Sequence, residues 1–201
     1  MGFLESLQNS GFATWVRESP SLLAYQLYIT LHTIGLGMIV GVSVGVCLRV
    51  LGVASALPLA PMEKYLRFMW LGFWISLFSG LVLFILEPGK FLTIPVFYIK
   101  LASIVVALVM MSKLSGVIFR GRTAAGAGDA PAGAKGLAVA VILSWFVGIL
   151  AGRVTAYSPL IQIETTFAVL ILAVVLTIGR AIFIRGGSGE RAGAPARRSH
   201  A

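Results

Sequence analysis

The chain has 201 residues, of which 58% are hydrophobic and only 11% are charged, and its formal net charge is +9. An ordinary soluble domain carries roughly 25% charged residues, so this composition argues against a soluble protein. The basic residues lie in short segments between long apolar runs, which is typical of membrane topology and not of nucleic-acid binding. We therefore predict one domain whose partner is the lipid bilayer, with no nucleic acid bound.

The N-terminal segment, residues 1–20, differs from the rest of the chain because its apolar residues alternate with polar ones at roughly helical spacing. This pattern predicts a short amphipathic helix that lies in the membrane interface. The segment has no basic stretch followed by an apolar one, so it is not expected to be a cleavable signal.

Five apolar runs predict five transmembrane helices within residues 21–185, since each is close to the ~20 residues that cross the hydrocarbon core. They cover residues 22–48, 66–86, 93–111, 137–157 and 166–184. Ser19, Pro20 and Ser21 predict the start of the first helix, with serine as the N-cap and proline in the first turn. Two segments too poor in apolar residues to fold are predicted to be disordered. They are the loop at about 121–135 and the tail at 186–201.

Lysine and arginine are distributed unequally between the two sides that five spans define. Twelve lie on the side of the tail: Arg49, Lys64, Arg67, Lys113, Arg120, Arg122, Lys135, Arg180, Arg185, Arg191, Arg197 and Arg198. Three lie on the other side: Arg17, Lys90 and Arg153. The positive-inside rule then predicts an all-α, polytopic bundle with its N-terminus outside and its C-terminus in the cytoplasm. The Ala-, Gly- and Arg-rich usage and the lack of eukaryotic targeting signals predict a bacterial plasma (inner) membrane.

Small residues spaced four apart predict where the helices pack closely. They are Gly37, Gly41 and Gly45 in the first span, Gly72, Ser76 and Gly80 in the second, and Ser144, Gly148 and Gly152 in the fourth. The first four spans are therefore predicted to form a compact bundle, with the fifth more peripheral. The ridge of Gly37, Gly41 and Gly45 is also a candidate surface for a homo-oligomer or a membrane complex.

His32 lies close to the middle of the first span, about 15 Å from its start at 1.5 Å per residue. At ~100° per residue, four polar residues share its helix face: Ser21, Tyr25, Tyr28 and Ser43. Lipid cannot satisfy polar groups of this kind, so the face is predicted to point into the bundle.

Lys100 is the other anomaly, because a lysine at the centre of a membrane helix costs ~2.5–3.5 kcal/mol on insertion scales. Arg153 and Tyr157 are expected at a comparable depth in the outer half of the fourth span. The residues predicted to line one polar cavity are His32, Tyr25, Tyr28, Lys100, Arg153 and Tyr157. Such a cavity would hold an anion, a quinone or a haem propionate, with Glu87 and Glu164 as candidate counter-charges. The alternative is that Lys100 and Arg153 snorkel outward and that His32 hydrogen-bonds across helices.

Four sulfur-containing residues lie within about a turn of the cytoplasmic boundary: Cys47, Met69, Met110 and Met111. Thiolate and thioether ligands select Cu(I), so these residues are a candidate copper site. Methionine is also the ordinary filler of irregular gaps in a core. A single cysteine excludes a disulfide within the chain and a zinc site of several thiolates.

Enzymatic chemistry of its own is not expected, because the sequence has no paired intramembrane carboxylates, no HExxH and no CxxC. A haem b bound through His32 would need methionine or a second subunit as its other axial ligand. The only other histidine, His200, lies in the predicted disordered tail.

Several short motifs resemble those of a known family. They are Leu31-His32, Leu48-Arg49-Val50-Leu51-Gly52, Pro95-Val96-Phe97-Tyr98-Ile99-Lys100, and Gly152-Arg153 with Ala156-Tyr157. Through them the chain from Trp15 to Tyr157 resembles an uncharacterised family of small bacterial inner-membrane proteins, which usually has an acidic residue where this chain has Cys47. It is more loosely similar to copper-resistance D proteins and b-type cytochrome bundles. Those relatives imply copper handling or haem electron transfer, but this chain lacks the additional histidines that both usually have.

The preferred interpretation is a membrane module that binds a small ligand or supports a complex through the outer polar cavity. The first alternative is a haem b electron-transfer subunit ligated through His32. The second is a copper-handling permease that uses Cys47 and the methionines.

Overall fold

The computed structural model describes residues 2–53, 55–120, 133–157 and 159–191. Within these ranges the chain is all-helical and contains no strand. Four helices are long and apolar enough to cross a membrane, and the apolar part of the last helix, Pro159–Val175, is shorter. The predicted fold class, an all-α membrane bundle of about five spans, is confirmed.

The described residues form eight α-helices. They are α1 (Phe3–Gln8), α2 (Gly11–Glu18), α3 (Tyr25–Val50), α4 (Leu66–Leu86), α5 (Pro88–Thr93), α6 (Pro95–Ser115), α7 (Ala134–Val154) and α8 (Pro159–Arg191). A 3-10 helix, Ala60–Tyr65, leads into α4, and a π-helical turn, Gly116–Arg120, extends α6.

The first span begins later than the sequence predicted. Residues 20–24 are not helical, and α3 begins at Tyr25. The hydroxyl of Ser21 accepts a hydrogen bond from the amide of Leu23 at 3.2 Å, so it closes a local turn instead of capping a helix. The predicted start at Ser19, Pro20 and Ser21 is therefore wrong, whereas the second span has the predicted bounds, residues 66–86.

The N-terminal segment forms two short helices, not the single one predicted. The chain leaves the helical conformation after α1, and Ser10 restarts it as the N-cap of α2, accepting a hydrogen bond from the amide of Ala13 at 3.2 Å. One face of α2 is anchored on the bundle, because Ala13 and Val16 are fully buried against the last turns of α4. Phe3 remains 78% exposed, which is the arrangement expected at a membrane interface.

The long helices are arranged as two pairs. Helix α3 packs along α4 and α6 packs along α7, while α3 also contacts α7 and so joins the pairs. Helix α8 lies against α6 and α7, and between 159 and 175 it exposes most of its apolar side chains, in agreement with a peripheral fifth span. We call the end where α3 and α6 begin and α4 and α7 end the outer end, following the predicted topology, and the opposite end the inner end.

The small-residue ridge predicted in the first span does not pack within the bundle. Gly37 and Gly41 are exposed, and no heavy atom lies within 4 Å of where their Cβ atoms would be. The close contact of α3 with α4 is made instead at Gly35, which faces Gly72 of α4. Five of the six small residues predicted in the second and fourth spans lie at helix contacts, namely Gly72, Ser76, Gly80, Gly148 and Gly152. The sixth, Ser144, is half-buried, and its hydroxyl donates to the Ala140 carbonyl of its own helix.

The two segments predicted to be disordered lie mostly outside the described residues. Residues 121–132 are outside them, and α7 already begins at Ala134, inside the predicted loop. Residues 192–201 are also outside, while α8 continues to Arg191, past the predicted start of the tail at 186.

Candidate functional site

A cavity of about 260 Å³ lies between α3, α6 and α7 toward the outer end of the bundle. It is lined by His32, Thr33, Leu36, Lys100, Ile104, Trp145, Gly148, Ile149, Gly152 and Arg153. The lining positions on each helix are spaced about one turn apart, so each helix presents a single face to the cavity. Three residues predicted from the sequence, His32, Lys100 and Arg153, therefore line the same cavity.

The lining residues lie at different depths. Arg153 is one residue before the end of α7, and Trp145 is eight residues deeper, about 12 Å along the helix axis. Lys100 follows the start of α6 by five residues, about 7.5 Å, and His32 follows the start of α3 by seven, about 10.5 Å. The two cations thus lie nearer the outer end, which we call the mouth, and Trp145 and His32 lie deeper, at what we call the floor.

His32 is held against α4 by a hydrogen bond across helices. Its Nδ1 lies 2.9 Å from the carbonyl oxygen of Ser76, and because a carbonyl only accepts, Nδ1 must carry the hydrogen. The hydroxyls of Ser76 and Ser79 approach the same nitrogen at 3.3 and 3.5 Å. The predicted cross-helix hydrogen bond of His32 is confirmed. Nε2 makes no hydrogen bond to any residue that the structure describes, so it remains available to a ligand.

Gly80 makes room for the imidazole ring. A Cβ atom at this position would lie 2.9 Å from Cε1 of His32, closer than real Cβ contacts come, and 3.1 Å from Nδ1, which is tighter than most of them. The small residue four positions after Ser76 thus lets the ring approach the α4 backbone closely enough to reach the Ser76 carbonyl.

Lys100 is half-buried and lies alongside α7. A Cβ atom on Gly152 would be 3.5 Å from its Cδ and 3.9 Å from its Nζ, so the absence of a side chain there gives the lysine its path. One turn further along α6, the hydroxyl of Ser103 occupies the corresponding space beside Gly148 and donates to the Lys100 carbonyl at 2.8 Å.

Neither cation of the cavity has a salt bridge among the described residues. The one ion pair among the described residues joins Lys90 to Glu87 at 3.0 Å on the protein surface, outside the cavity. Glu87 is therefore not the counter-charge that the sequence suggested for the cavity, and Glu164 is exposed on α8. Two positive charges thus line a cavity to which no carboxylate contributes.

Trp145 is a site residue that sequence reasoning missed. Its side chain is 2% exposed, lines the cavity and packs against the buried residues of the inner half of the bundle. Its Nε1 is a fully buried donor with no hydrogen-bond partner in the part of the chain that the structure describes. Buried indole N–H groups usually have a partner, so this one is an exception that needs an explanation.

The tyrosines predicted for the site do not line the cavity. Tyr25 is 43% exposed and Tyr157 is 51% exposed. Tyr28 packs edge-to-face on Phe12 of α2, with ring centroids 6.3 Å apart. The expectation that the whole polar face of α3 points inward is wrong, because Ser21 and Tyr25 are exposed and only His32, Tyr28 and Ser43 turn toward other helices.

The four sulfur-containing residues meet at the inner end of the bundle. Cys47, Met69 and Met111 are buried in one apolar cluster, and Met110 packs against it. The sulfur of Met69 already lies 3.4 Å from the hydroxyl of Ser43. Apart from these residues and Met62, which also packs against it, the cluster is aliphatic or aromatic. No group of three or more His, Cys, Asp or Glu side chains suited to a metal occurs within the described ranges. The copper site stays a prediction.

A second depression, of about 470 Å³, lies at the inner end beside Glu63, Lys64 and Arg67. Those three side chains are exposed and carry both signs of charge. The smaller cavity is the better candidate site because its charges are of one sign and its floor is buried.

No protein-family model, no curated protein and no solved structure matches the chain. The resemblance to a family of small inner-membrane proteins therefore stays a prediction.

Proposed function

We propose that the protein is a ligand-binding membrane module whose outer cavity takes the anionic end of a small amphipathic molecule. The observation that carries the proposal is that Lys100 and Arg153 both line the cavity and no carboxylate does. A lysine within a span is unfavourable by roughly 2.5–3.5 kcal/mol unless it finds water or a partner. An anionic ligand offsets this cost and gains charge-assisted hydrogen bonds, which are roughly twice as strong as neutral ones.

The walls of the cavity indicate that the ligand also has an apolar part. Leu36, Ile104 and Ile149 line it between the polar groups, and Ile149 is 44% exposed about 7.5 Å in from the end of α7. The cavity therefore opens sideways toward the lipid as well as toward its mouth. Its volume of about 260 Å³ is below the roughly 300–1,000 Å³ of pockets that enclose drug-sized ligands. A medium-chain acid fits, as does the head of a longer anionic lipid whose tail stays in the bilayer.

The proposal is tested by comparing nonanoate with nonan-1-ol, which has the same chain without the charge. Binding is measured by calorimetry on protein in phosphatidylcholine nanodiscs, with empty nanodiscs as the blank. The wild type should bind nonanoate more tightly than the alcohol. Lys100→Met should weaken nonanoate binding about 10- to 100-fold, the usual worth of a hydrogen bond to a charged group. Arg153→Met should weaken nonanoate binding less, by about two- to fivefold, because Arg153 is exposed to solvent.

Lys90→Met is the matched control, because Lys90 is an outer lysine that pairs with Glu87 outside the cavity. It should leave both affinities unchanged. Equal binding of the acid and the alcohol by the wild type, or equal losses in Lys90→Met and Lys100→Met, would contradict the proposal. Nanodiscs that contain phosphatidylglycerol distinguish an anionic lipid from a free acid as the natural ligand. If the cavity binds the lipid headgroup, phosphatidylglycerol should compete with nonanoate and weaken its apparent affinity. If the cavity binds only free acids, the affinity for nonanoate should be the same as in phosphatidylcholine.

A haem b subunit is the second candidate, and one observation favours it. Histidines that bind metals usually donate their other ring nitrogen to a carbonyl or carboxylate, as His32 does to Ser76. The volume of the cavity argues against it, since a haem is larger than the ligands that fill 260 Å³. The lining also contains no methionine as a second axial ligand. An absorption spectrum of the purified protein tests this candidate, because a Soret band would support haem.

A further inference from the structure

We propose that the depression at the inner end binds the headgroup of a phospholipid that carries both a phosphate and a primary ammonium group, as phosphatidylethanolamine does. This site is separate from the outer cavity, and the proposal does not depend on the ligand of that cavity. It is carried by the order in which charged and aromatic side chains follow one another at the start of α4.

The depression is lined by residues of the 3-10 helix Ala60–Tyr65 and of the first turns of α4. Glu63, Arg67 and Trp70 follow one another at spacings of four and three residues, which places them on one face of this helical segment. Trp74 continues the face by a further turn and is 62% exposed. From the inner end toward the middle of the bundle, the face thus presents a carboxylate, a guanidinium and two indoles.

This order matches the order of groups in a phospholipid along the bilayer normal, where the charged headgroup precedes the ester region and the acyl chains. Tryptophan is enriched at the level between headgroups and hydrocarbon, and Trp70 is 43% exposed next to the charged residues. An acyl chain of the same lipid would pass the exposed ring of Trp74. That ring packs edge-to-face on Phe73, with centroids 5.3 Å apart, so the chain meets a supported aromatic surface.

The charges of the depression are exposed, and they differ in sign. Glu63 lies one turn from Arg67, yet Glu63, Lys64 and Arg67 form no salt bridge to any residue that the structure describes. The two cations suit a phosphate, because arginine binds phosphate oxygens through paired N–H groups and lysine binds them as a point charge. The carboxylate of Glu63 suits a primary ammonium group, which has three N–H donors.

The presence of Glu63 among the lining residues decides between classes of phospholipid. Basic residues alone beside a membrane helix would indicate an anionic lipid such as phosphatidylglycerol. A carboxylate beside them repels a headgroup that is only anionic. The quaternary ammonium of phosphatidylcholine has no N–H to donate to a carboxylate. The combination therefore favours phosphatidylethanolamine over both.

The dimensions of the depression agree with this headgroup. Glu63 and Arg67 are about 6–8 Å apart along the helix axis, at roughly 1.5–2.0 Å per residue. The ammonium and phosphate of phosphatidylethanolamine are joined by a two-carbon bridge, so flexible side chains at this spacing reach one group each. At the roughly 30 Å³ that a water occupies in the liquid, the volume of about 470 Å³ holds about fifteen groups of that size. That is enough for the phosphate, the ethanolamine and the glycerol.

The test measures quenching of Trp70 by brominated phospholipids in dodecyl maltoside micelles, because bromine quenches an indole that it contacts. The exposed Trp15 and Trp74 are replaced by Phe, while Trp145 stays as a background that is only 2% exposed. The probes are phosphatidylethanolamine, phosphatidylcholine and phosphatidylglycerol, each brominated near the carboxyl end of one acyl chain. This protein should bind phosphatidylethanolamine about two- to fivefold more tightly than either of the others, the usual worth of an exposed ion pair.

Glu63→Gln removes the carboxylate and keeps its shape. It should abolish the preference for phosphatidylethanolamine over phosphatidylcholine, and it should raise the affinity for phosphatidylglycerol about two- to fivefold because the repulsion is gone. Glu18→Gln is the matched control, since Glu18 is an exposed glutamate at the outer end that does not line the depression. It should leave all three affinities unchanged.

Arg67→Gln removes the donor to the phosphate that the three lipids share. It should weaken the binding of all three by about two- to fivefold and leave their order unchanged. Its control is Lys113→Gln, which removes an exposed inner cation of α6 outside the depression and should change none of the affinities. Because Glu63 and Arg67 are exposed, their variants should fold as the wild type does.

Three results would overturn the proposal. They are equal binding of the three lipids, tighter binding of phosphatidylglycerol than of phosphatidylethanolamine, and a preference for phosphatidylethanolamine that survives in Glu63→Gln. The second result would assign the depression to anionic lipids instead.

Discussion

Gly35 of α3 and Gly72 of α4 bring two backbones into direct contact. A Cβ atom on Gly35 would lie 2.7 Å from the carbonyl oxygen of Gly72, and one on Gly72 would lie 2.8 Å from the carbonyl oxygen of Gly35. Such small residues let membrane helices approach closely where hydrophobic drive is absent. The contact lies about one turn from both His32 and Ser76, so it sets the spacing at which the imidazole reaches the Ser76 carbonyl.

Alanine at either of these glycines should destabilise the bundle, because the methyl group would meet backbone atoms that cannot rotate away. Overpacking of this kind costs about 1–3 kcal/mol. Gly37→Ala is the matched control on the same helix, since its Cβ would meet open space and alanine is the better helix former. The free energy of unfolding in mixed micelles measures the difference. Equal stabilities for Gly35→Ala and Gly37→Ala would show that the helices are not in contact at Gly35.

Gly80→Ala should displace the ring of His32 while leaving the helix pair in place. The added methyl would lie 2.9 Å from Cε1, and a side-chain ring moves more easily than a backbone. The hydrogen bond to Ser76 would then be lost, at a net cost of about 0.5–1.5 kcal/mol. Nitrogen NMR of the imidazole should report a change in the Nδ1 signal, with His200 replaced so that one histidine remains.

The comparison variant is Gly152→Ala, whose methyl would make only ordinary contacts, the nearest at 3.5 Å to Lys100. It should leave the imidazole signal of His32 as in the wild type. An unchanged Nδ1 signal in Gly80→Ala would mean that the ring does not depend on the space beside α4.

The contrast between Gly35 and Gly37 explains what the sequence of α3 was able to predict. Its length and apolar character predicted a membrane helix, and its closely spaced glycines predicted close packing. The helix is apolar on nearly every side, however, so spacing alone does not reveal which side meets a neighbour. The identity of the glycine facing α4 depends on the partner, Gly72, and appears only in the tertiary structure.

The cavity was partly predictable for a related reason. Ionisable side chains are rare within membrane spans, so the sequence identifies His32, Lys100 and Arg153 once the spans are assigned. It does not identify Trp145, because an aromatic residue in an apolar helix is ordinary, and only the tertiary structure shows that its Nε1 has no hydrogen-bond partner among the described residues. The prediction that Tyr25, Tyr28 and Tyr157 line the cavity was wrong because a tyrosine does not need a buried polar site. An aromatic ring with one polar group also suits an exposed interfacial position.

Arg17 should hold the N-terminal helices on the bundle. Its guanidinium donates to the carbonyl of Leu86 at 3.1 Å, satisfying a backbone group that the last turn of α4 leaves free, and to the carbonyl of Gln8 at 3.4 Å. Arg17→Met should loosen the docking of α2 by about 0.5–1.5 kcal/mol per lost hydrogen bond. Hydrogen exchange should then become faster in residues 11–18. Arg17→Lys, which keeps the charge and part of the donor set, should show a smaller change, and equal protection in all three proteins would contradict the proposed anchor.

Trp145 provides a last prediction, about stability in the absence of ligand. Trp145→Ala should cost about 3–5 kcal/mol, because it leaves a large void against the inner core. Trp145→Phe should cost far less, since part of the lost packing is offset by removing a buried donor whose missing partner is worth about 1–3 kcal/mol. Unfolding free energies in mixed micelles check both steps. Equal losses of stability in Trp145→Ala and Trp145→Phe would contradict this prediction.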